Sequence, residues 1–265
     1  MPVKKDSSGN RSVEAEVEVP GTPEEVWKAI ATGPGMSSWL VPSTSDECVG
    51  GTATSVFGPG MESIGAIKAW NPPHNFVIET QEGPGTVASE WVVEARGGGQ
   101  CVVRVVHRWF ASTDDWDNQF EGHTYGWQAF FRILRMYLTR FPGQKCSAFQ
   151  LAAFSTSSLD ETWDKLLSAL GVTEATQTLT STPEAPALAG VVERLGQPPH
   201  AELLLRLEKP APGIAHFFTM PLGDQVLLSI RYYLYGEPGI SSVSTAERDW
   251  LKWIEKTFPA QAMAQ

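Results

Sequence analysis

Five histidines are the side chains in this sequence whose chemistry could support catalysis or metal binding. They stand at His74, His107, His123, His200 and His216. Their spacing gathers no local set of metal ligands, and the sequence contains no P-loop, dinucleotide-binding glycine motif, zinc-protease motif or hydrolase nucleophile elbow. We therefore expect no metal and no cofactor, and we favour binding over catalysis as the activity.

Two of these histidines could serve a ligand site. His107 shares one face of an alternating run with Trp109. If that face points inward, His107 could be a polar anchor or a general base, or alternatively a hydrogen-bonded core residue. His123 opens a predicted helix, where the positive end of the helix dipole favours a neutral imidazole. It is expected at a pocket mouth or as a helix cap. His74 and His200 follow Pro-Pro pairs and are predicted turn residues.

Four arginines lie on predicted strands, where an inward guanidinium could hold a ligand carboxylate. They are Arg104, Arg108, Arg206 and Arg231. Outward exposure is the expectation for each, because arginine is rarely buried without a partner.

Composition and charge exclude several classes of protein. The net charge is −10, and each half carries −5, with 12 basic and 17 acidic residues before Ser147 and 8 and 13 from there on. This balance argues against nucleic-acid binding. The three cysteines are far apart, which predicts neither a disulfide framework nor a zinc site and suits a reducing compartment. Without a signal peptide or an apolar run of membrane-spanning length, we expect a cytoplasmic protein that does not insert into membranes.

The first half has the pattern of an antiparallel sheet that ends in a helix. Residues 12–19 alternate apolar and polar positions, which predicts a half-buried strand. Thr22, Pro23 and Glu25 form a capping-box start for a short helix. Five further strand-length runs follow, at residues 52–57, 64–70, 76–80, 90–95 and 101–110. Residues 122–141 repeat apolar side chains at helical spacing and predict a long amphipathic helix.

The second half repeats the landmarks of the first in the same order. The capped helix start at Thr22 recurs at Ser158, and Gly65 with its following Pro-Pro pair recurs at Gly190. Both closing helices carry tryptophan and run into Phe-Pro. Residues 173–186 predict a shortened, irregular version of the early strands. We predict two domains, at residues 10–144 and 147–260, of which the second is a diverged copy. Chance similarity between two unrelated α+β domains is the alternative.

Each half therefore predicts an α+β domain in which a curved antiparallel sheet wraps around a long C-terminal helix. The space between sheet and helix is either filled by side chains or occupied by a ligand. The candidate pocket residues of the first half are aromatic, apolar or histidine: Trp39, Trp70, Phe76, Trp91, His107, Trp109, His123, Trp127, Phe130, Phe131 and Leu134. Those of the second half are His216, Phe218, Arg231, Tyr233 and Trp250.

The spacing of five motifs over about residues 12–142 resembles the family related to the activator of Hsp90 ATPase, within the START-like (SRPBCC) group that also holds Bet v 1-type proteins and polyketide cyclases. The motifs are Pro23 to Trp27, Trp39 to Pro42, Val49 to Gly51, Gly65 with Pro72-Pro73, and Glu121 to Trp127. The resemblance implies the helix-grip fold, present twice here, with a deep cavity for lipids, polyketides and other apolar small molecules. The additional N-terminal domain of the Hsp90 co-chaperones has no counterpart in this sequence.

Three functions are compatible with these observations. The leading one is binding of an apolar or aromatic small molecule, lipid-like or polyketide-like, in the first pocket. The second is an enzyme of the polyketide cyclase or hydrolase kind that uses His107 or His123 as acid or base. The third is an interaction module without a ligand, linked to a chaperone or to self-association, in which aromatic side chains fill the pockets.

Overall fold

In a computed structural model, the chain divides into two compact units, Met1–Gly143 and Gln144–Gln265. The structure describes residues 3–7, 9–58, 60–83, 85–110 and 117–259, and of residues 117–125 it describes the backbone alone. Each unit has its own antiparallel sheet.

The first unit combines eight strands, two short helices and one long helix. Its elements in chain order are β1 Lys4–Lys5, β2 Asn10–Pro20, α1 Pro23–Ala31, α2 Gly33–Ser37, β3 Ser43–Ser45, β4 Thr52–Val56, β5 Glu62–Asn71, β6 Asn75–Glu82, β7 Gly85–Ala95, β8 Gln100–Phe110 and α3 Asp117–Arg140. The sheet order is β1-β2-β8-β7-β6-β5-β4-β3. Strands β3 to β8 form a meander, and the last of them pairs with β2 near the start of the chain.

The start of α1 is fixed by the predicted capping box. The Thr22 side chain accepts from the Glu25 backbone N–H at 3.3 Å, and the Glu25 carboxylate accepts from the Thr22 backbone N–H at 2.8 Å. Pro23 occupies the first turn, where its missing N–H costs nothing. Because nearby side chains satisfy the backbone N–H groups at its N-terminus, α1 begins where the sequence predicts.

The inward face of the first sheet is the one that carries His107. On β8, the side chains of Cys101, Val103, Val105 and Trp109 are buried on that face. Strand β2 contributes Val13, Ala15 and Val19 to the same face, and α3 packs against β2. Alternation therefore places His107 toward the long helix, as one reading of the sequence predicted.

The second unit has six strands and two helices. Its elements are β9 Cys146–Ser155, α4 Leu159–Leu170, β10 Thr178–Thr180, β11 Ala189–Leu195, β12 Glu202–Lys209, β13 Gly213–Leu222, β14 Gln225–Tyr235 and α5 Gly236–Thr257. The sheet order is β10-β11-β12-β13-β14-β9. A second capping box, between Ser158 and Glu161, starts α4. Strand β9 was not predicted, and the stretch 173–186 holds only the three-residue β10.

The two sheets match position by position on their inward faces. In the first, Gly65, Thr80, Val87 and Trp109 form one row of cross-strand partners. In the second, the corresponding row is Gly190, Leu207, Gly213 and Leu234. Each sheet also has a register shift two residues after the glycine of this row. The shift lies between Ile67 and Ala69 after Gly65, and between Val192 and Arg194 after Gly190.

Gly65 and Gly190 are equivalent for a steric reason. A Cβ atom at Gly65 would lie 2.9 Å from the carbonyl oxygen of Glu79, and one at Gly190 would lie 2.2 Å from that of Arg206. Both distances are too short for a side chain. The predicted α+β helix-grip architecture, present twice, is confirmed.

Among the described residues, no helix combines the length and the hydropathy that a bilayer span requires. The same part of the chain contains no group of three or more histidine, cysteine, aspartate or glutamate side chains arranged to hold a metal ion.

Candidate ligand-binding site

His107 lies between two polar partners on the inward face of the first sheet. Its Nδ1 is 2.7 Å from the hydroxyl of Ser89, its cross-strand neighbour on β7. On the other side of the ring, the indole Nε1–H of Trp127 on α3 donates to His107 Nε2 at 2.7 Å. The imidazole therefore connects the sheet to the long helix.

These two hydrogen bonds define the tautomer of His107. An indole N–H can only donate, so Nε2 must accept and carries no proton. The proton of the neutral ring then sits on Nδ1 and is donated to Ser89 Oγ. The nitrogen that faces α3 is consequently a hydrogen-bond acceptor.

Aromatic rings extend from this polar group across the sheet. The Trp127 ring stacks on His107 with centroids 5.6 Å apart and meets Trp91 edge-on at 5.1 Å. Trp91 stacks in turn on Phe76 at 5.9 Å, and Phe131 on α3 lies 6.3 Å from Trp91. Such pairs fix the orientation of each ring as well as burying its area.

Trp39 and Trp70 complete this aromatic wall. Trp39 is fully buried 6.3 Å from Trp91, and its indole N–H donates to the Ala29 carbonyl oxygen at 2.9 Å. Trp70 lies 5.5 Å from Phe76. The register shift after Ile67 turns Trp70 onto the inward face, which simple alternation along β5 would not do.

The middle of the inward face contains three half-buried side chains, Ser89, His107 and Ile78, and the half-buried Trp127 lies above them. Ile67 and Val13, at the ends of the same row, are buried. By contrast, Trp91 in the next row is only 3% exposed and Trp109 on the other side is also 3% exposed. Solvent therefore reaches the polar group at the centre of an apolar wall.

The remaining predicted residues occupy three different environments. Phe130 lies 6.1 Å from Trp127 and belongs to the wall, whereas Leu134 is completely buried on α3. Trp109 packs in a separate cluster with Val13 and Val87. His123 falls within α3, and its side chain lies outside the described residues.

Arg11 is an inward residue that sequence reasoning missed. It pairs with Trp109 across β2 and β8 and is only 6% exposed. One of its guanidinium nitrogens donates to the Gly9 carbonyl oxygen at 3.2 Å. Arg11 lies two residues before Val13, and this spacing places both side chains on the same face of β2. The sequence analysis did not select Arg11 because arginine is usually exposed.

An open groove of about 620 Å³ lies at the ends of β1, β2, β7 and β8. Among the predicted pocket residues, Trp109 lines it, together with Arg11, Arg108 and the 61% exposed Phe110. Arg108 is engaged there by Glu90 at 2.6 Å. This groove is distinct from the accessible centre at His107, since it is lined by the strand ends.

The first-half arginines predicted to be exposed face outward. Arg104 pairs with Glu16 at 3.1 Å and Glu94 at 3.4 Å, and Arg108 pairs with Glu90. The hydrogen bond that Arg104 donates to the Glu16 carboxylate raises the pKa of Arg104. These arginines belong to a charged outer face, where exposed ion pairs contribute little to stability.

Most of the first unit is similar to one known protein family. Residues 10–133 match the family described as polyketide cyclase / dehydrase and lipid transport. The match to this cyclase/dehydrase family covers β2 to most of α3 and includes His107, Ser89 and Trp127. No curated protein matches the chain.

Several solved structures are similar to the chain. The di-domain ARO/CYC protein BexL of the BE-7585A biosynthetic pathway has 12% identity over 95% of this chain and 100% of its own, with a TM-score of 0.45. CalU16 from Micromonospora echinospora has 18% identity over 53% and 82%, with a TM-score of 0.43. The Aha1 dimer from Colwellia psychrerythraea has 20% identity over 50% and 98%, with a TM-score of 0.40.

The five residues predicted for a second pocket do not share one face of the second sheet. Trp250 on α5 lies on the helix side, 5.4 Å from Phe217. His216 and Phe218 flank Phe217 on β13 and therefore face the opposite way. Arg231 lies on that same opposite face, with its guanidinium 4.8 Å above the Phe218 ring.

Tyr233 and His216 belong to this opposite face as well. His216 stacks on Phe218 at 5.3 Å, and its Nε2 lies 3.4 Å from a carboxylate oxygen of Glu202. Burial lowers the pKa of Arg231 and raises that of Tyr233. The remaining strand arginine, Arg206, pairs with Glu193 at 3.0 Å.

The helix side of the second sheet is packed by its own side chains. Tyr232 stacks on Phe149 at 4.8 Å and lies 5.5 Å from Trp250. All three are buried, and Tyr232 and Trp250 are 0% exposed. The match to the cyclase/dehydrase family ends before this unit begins.

Proposed function

We propose that the first unit binds an apolar, aromatic small molecule between its sheet and α3. One observation carries this proposal: a wall of contacting aromatic rings is interrupted at its accessible centre by the hydrogen-bonded pair of His107 and Ser89. Ligand pockets characteristically combine apolar walls with a few placed polar groups. The apolar wall would supply affinity, and the polar pair would orient the ligand.

Apolar contact is sufficient to drive such binding. A molecule of two or three fused rings that loses roughly 300 Å² of apolar surface would gain about 7 kcal/mol at ~25 cal/mol per Å². Association costs of about 4 kcal/mol leave about 3 kcal/mol, which corresponds to a Kd in the millimolar range, and one or two hydrogen bonds improve it. The family description supports the proposal, because cyclisation of polyketides and transport of lipids both require accommodation of apolar molecules.

Calorimetric titration of the full chain with fused-ring aromatics and fatty acids tests this proposal. We expect at least one aromatic member to bind and to raise the melting temperature. Trp127→Phe should weaken that binding about three- to tenfold, since it removes an N–H donor and part of the wall. Trp253→Phe in the second unit is the matched control and should leave affinity unchanged. A panel without any heat or thermal shift would refute the proposal.

A second candidate is a cyclisation enzyme in which His107 acts as general base. The unprotonated Nε2 favours it, because a general base must be able to accept a proton, and this nitrogen would do so once the Trp127 indole moves off it. The two functions differ in whether the ligand is changed. Mass spectrometry of polyketide-like ligands recovered after incubation distinguishes them, since binding returns the ligand intact and cyclisation removes water or rearranges it.

A further inference from the structure

We propose that acid weakens the ligand site of the first unit, because protonation of His107 breaks the hydrogen bond from Trp127 and loosens one side of the aromatic wall. The loss of the hydrogen bond follows from the geometry of the two rings. The loss of ligand affinity also rests on the proposed function, and the two effects can be measured separately.

Only a neutral His107 can accept the hydrogen bond from Trp127. The indole Nε1–H always donates, and Nε1 lies 2.7 Å from His107 Nε2. A protonated imidazole carries a hydrogen on both nitrogens, so Nε2 becomes a donor that faces a second donor. The Ser89 hydroxyl can donate or accept at Nδ1, but neither role restores an acceptor at Nε2 of the charged ring. Protonation and this hydrogen bond therefore exclude each other.

The side chains of Val13, Ser89 and Trp127 pack around His107 without carrying a charge. On β2, Arg11 faces the same side two residues before Val13, and a guanidinium cannot accept a hydrogen bond from a protonated imidazole. The ionisable side chains next to this row on the strands β2, β7 and β8 lie on the opposite face of the sheet, and they are Glu14, Glu90, Arg104 and Arg108.

The hydrogen bond helps to hold Trp127 in the wall. The Trp127 ring is half-buried, lies edge-on to Trp91 at 5.1 Å and lies 5.8 Å from Phe131. Gly126 before it is exposed, and a glycine inside a helix makes that turn easier to deform. Once the N–H group is released, the ring can move relative to its neighbours. A ligand that packs on the wall then loses part of its contact surface.

The direction of the pH effect follows from proton binding. The state with the Trp127–His107 hydrogen bond contains the neutral ring, and the released state contains the protonated one. The bonded state is therefore favoured above the range in which histidine takes up its proton, and it loses population as the pH falls through about 8 to 5. We expect ligand affinity to be higher at alkaline than at acidic pH.

Proton–nitrogen NMR of the full chain without ligand tests the first effect. The Trp127 Nε1–H resonance is identified by its loss in Trp127→Phe. Between about pH 8 and pH 5.5 it should move toward the position of an unbonded indole, with the same midpoint as the His107 ring. In His107→Gln, an amide oxygen near the place of Nε2 can accept at every pH, so the resonance should not move.

His123 needs a control of its own, because histidine side chains titrate over the same pH range. It lies four residues before Trp127 in α3, and its side chain lies outside the described residues. The NMR titration is therefore repeated in His123→Gln. The Trp127 resonance should respond there as it does in the parent chain.

Calorimetry with 2-methoxynaphthalene tests the second effect, since this probe has no group that titrates in the same range. The affinity of the parent chain should fall about three- to tenfold from about pH 8 to pH 5.5. Trp127→Phe should bind weakly at both pH values, and His107→Gln should bind with one affinity at both. Far-UV circular dichroism checks that each variant stays folded at each pH.

The outcomes separate this inference from the proposed function. A Trp127 resonance that stays constant while His107 titrates would overturn the inference, and it would mean that stacking of the charged imidazole on the indole holds Trp127 in place. A His107 ring that takes up no proton down to about pH 5.5, or an equal response in His107→Gln, overturns it as well.

Equal affinity of the parent chain at both pH values overturns the effect on the ligand even if the hydrogen bond breaks. Absence of binding at pH 8, by this probe and by the wider panel, refutes the proposed function and the effect on affinity. The NMR titration then still decides whether acid breaks the hydrogen bond.

Discussion

Tyr232 stands in the second sheet where His107 stands in the first. His107 pairs across the strands with Val13 and Ser89, and Tyr232 pairs in the same register with Phe149 and Ala215. Both rings face the long helix of their own unit. The second unit therefore has a larger, stacked ring at the position where the first has its polar group.

The first prediction concerns stoichiometry. Tyr232, Phe149 and Trp250 pack the helix side of the second sheet, so we expect one molecule of a fused-ring aromatic ligand per chain. Native mass spectrometry across a titration measures this number. His107→Phe should lower the occupancy of that single site without creating another. Two molecules bound with similar affinity would show that the second interior opens.

The second prediction concerns alkaline pH. Burial raises the pKa of Tyr232 well above that of an exposed phenol. The folded chain therefore keeps this proton after the unfolded chain has lost it. The stability contribution is complete below about pH 10, the ordinary phenol value, and falls above it by about 1.4 kcal/mol per pH unit. Urea unfolding of the parent and Tyr232→Phe at pH 8 to 11 measures the difference between their slopes.

Tyr232→Phe also tests whether the Tyr232 hydroxyl stabilises the fold. The Trp250 indole faces this hydroxyl without the geometry of a full hydrogen bond. At pH 7 we expect Tyr232→Phe to change the free energy of unfolding by less than about 1 kcal/mol. Tyr232→Ala removes the ring and should cost about 3–5 kcal/mol. A large loss in Tyr232→Phe would mean that the hydroxyl is satisfied after all.

A fourth prediction addresses the two crowded glycines. Gly65→Ala and Gly190→Ala force a Cβ toward backbone of the neighbouring strand and should each cost about 1–3 kcal/mol in denaturant unfolding. Gly97→Ala is the matched control, because nothing lies within 4 Å of a Cβ at that position. If all three variants were equally stable, the crowding would be relieved by small strand movements.

Local sequence signals predicted much of the fold. The capping boxes at Thr22 and Ser158, the alternation along β8 and the apolar spacing of α3 each depend on residues close in the chain. Strand β8 was predicted at residues 101–110 and runs from Gln100 to Phe110. Strand β9 was missed because its alternation is weak: of its ten residues, only Phe149 is fully buried.

The candidate site was harder to predict, because its geometry depends on which face each strand presents. A register shift turns Trp70 inward, and sequence alternation contains no sign of it. In the second half, the four strand residues chosen for their chemistry lie on the face of β13 and β14 opposite Trp250, and the sequence does not show which face meets α5. The hydrogen bond between Trp127 and His107 joins a helix residue to a strand residue, and the sequence does not show which residues of α3 pack over which residues of β8.

Because the two sheets share one register, each residue of the first interior can be compared with an equivalent residue of the second. Gly65 and Gly190 occupy equivalent positions in the two sheets, whereas the residues that face the long helix differ, with His107 and Ser89 in the first unit and Tyr232 and Ala215 in the second. One polypeptide thus contains the same scaffold in two versions of its interior. Exchanging residues between them, for example Ala215→Ser with Tyr232→His, compares the two interiors within a single molecule under identical conditions.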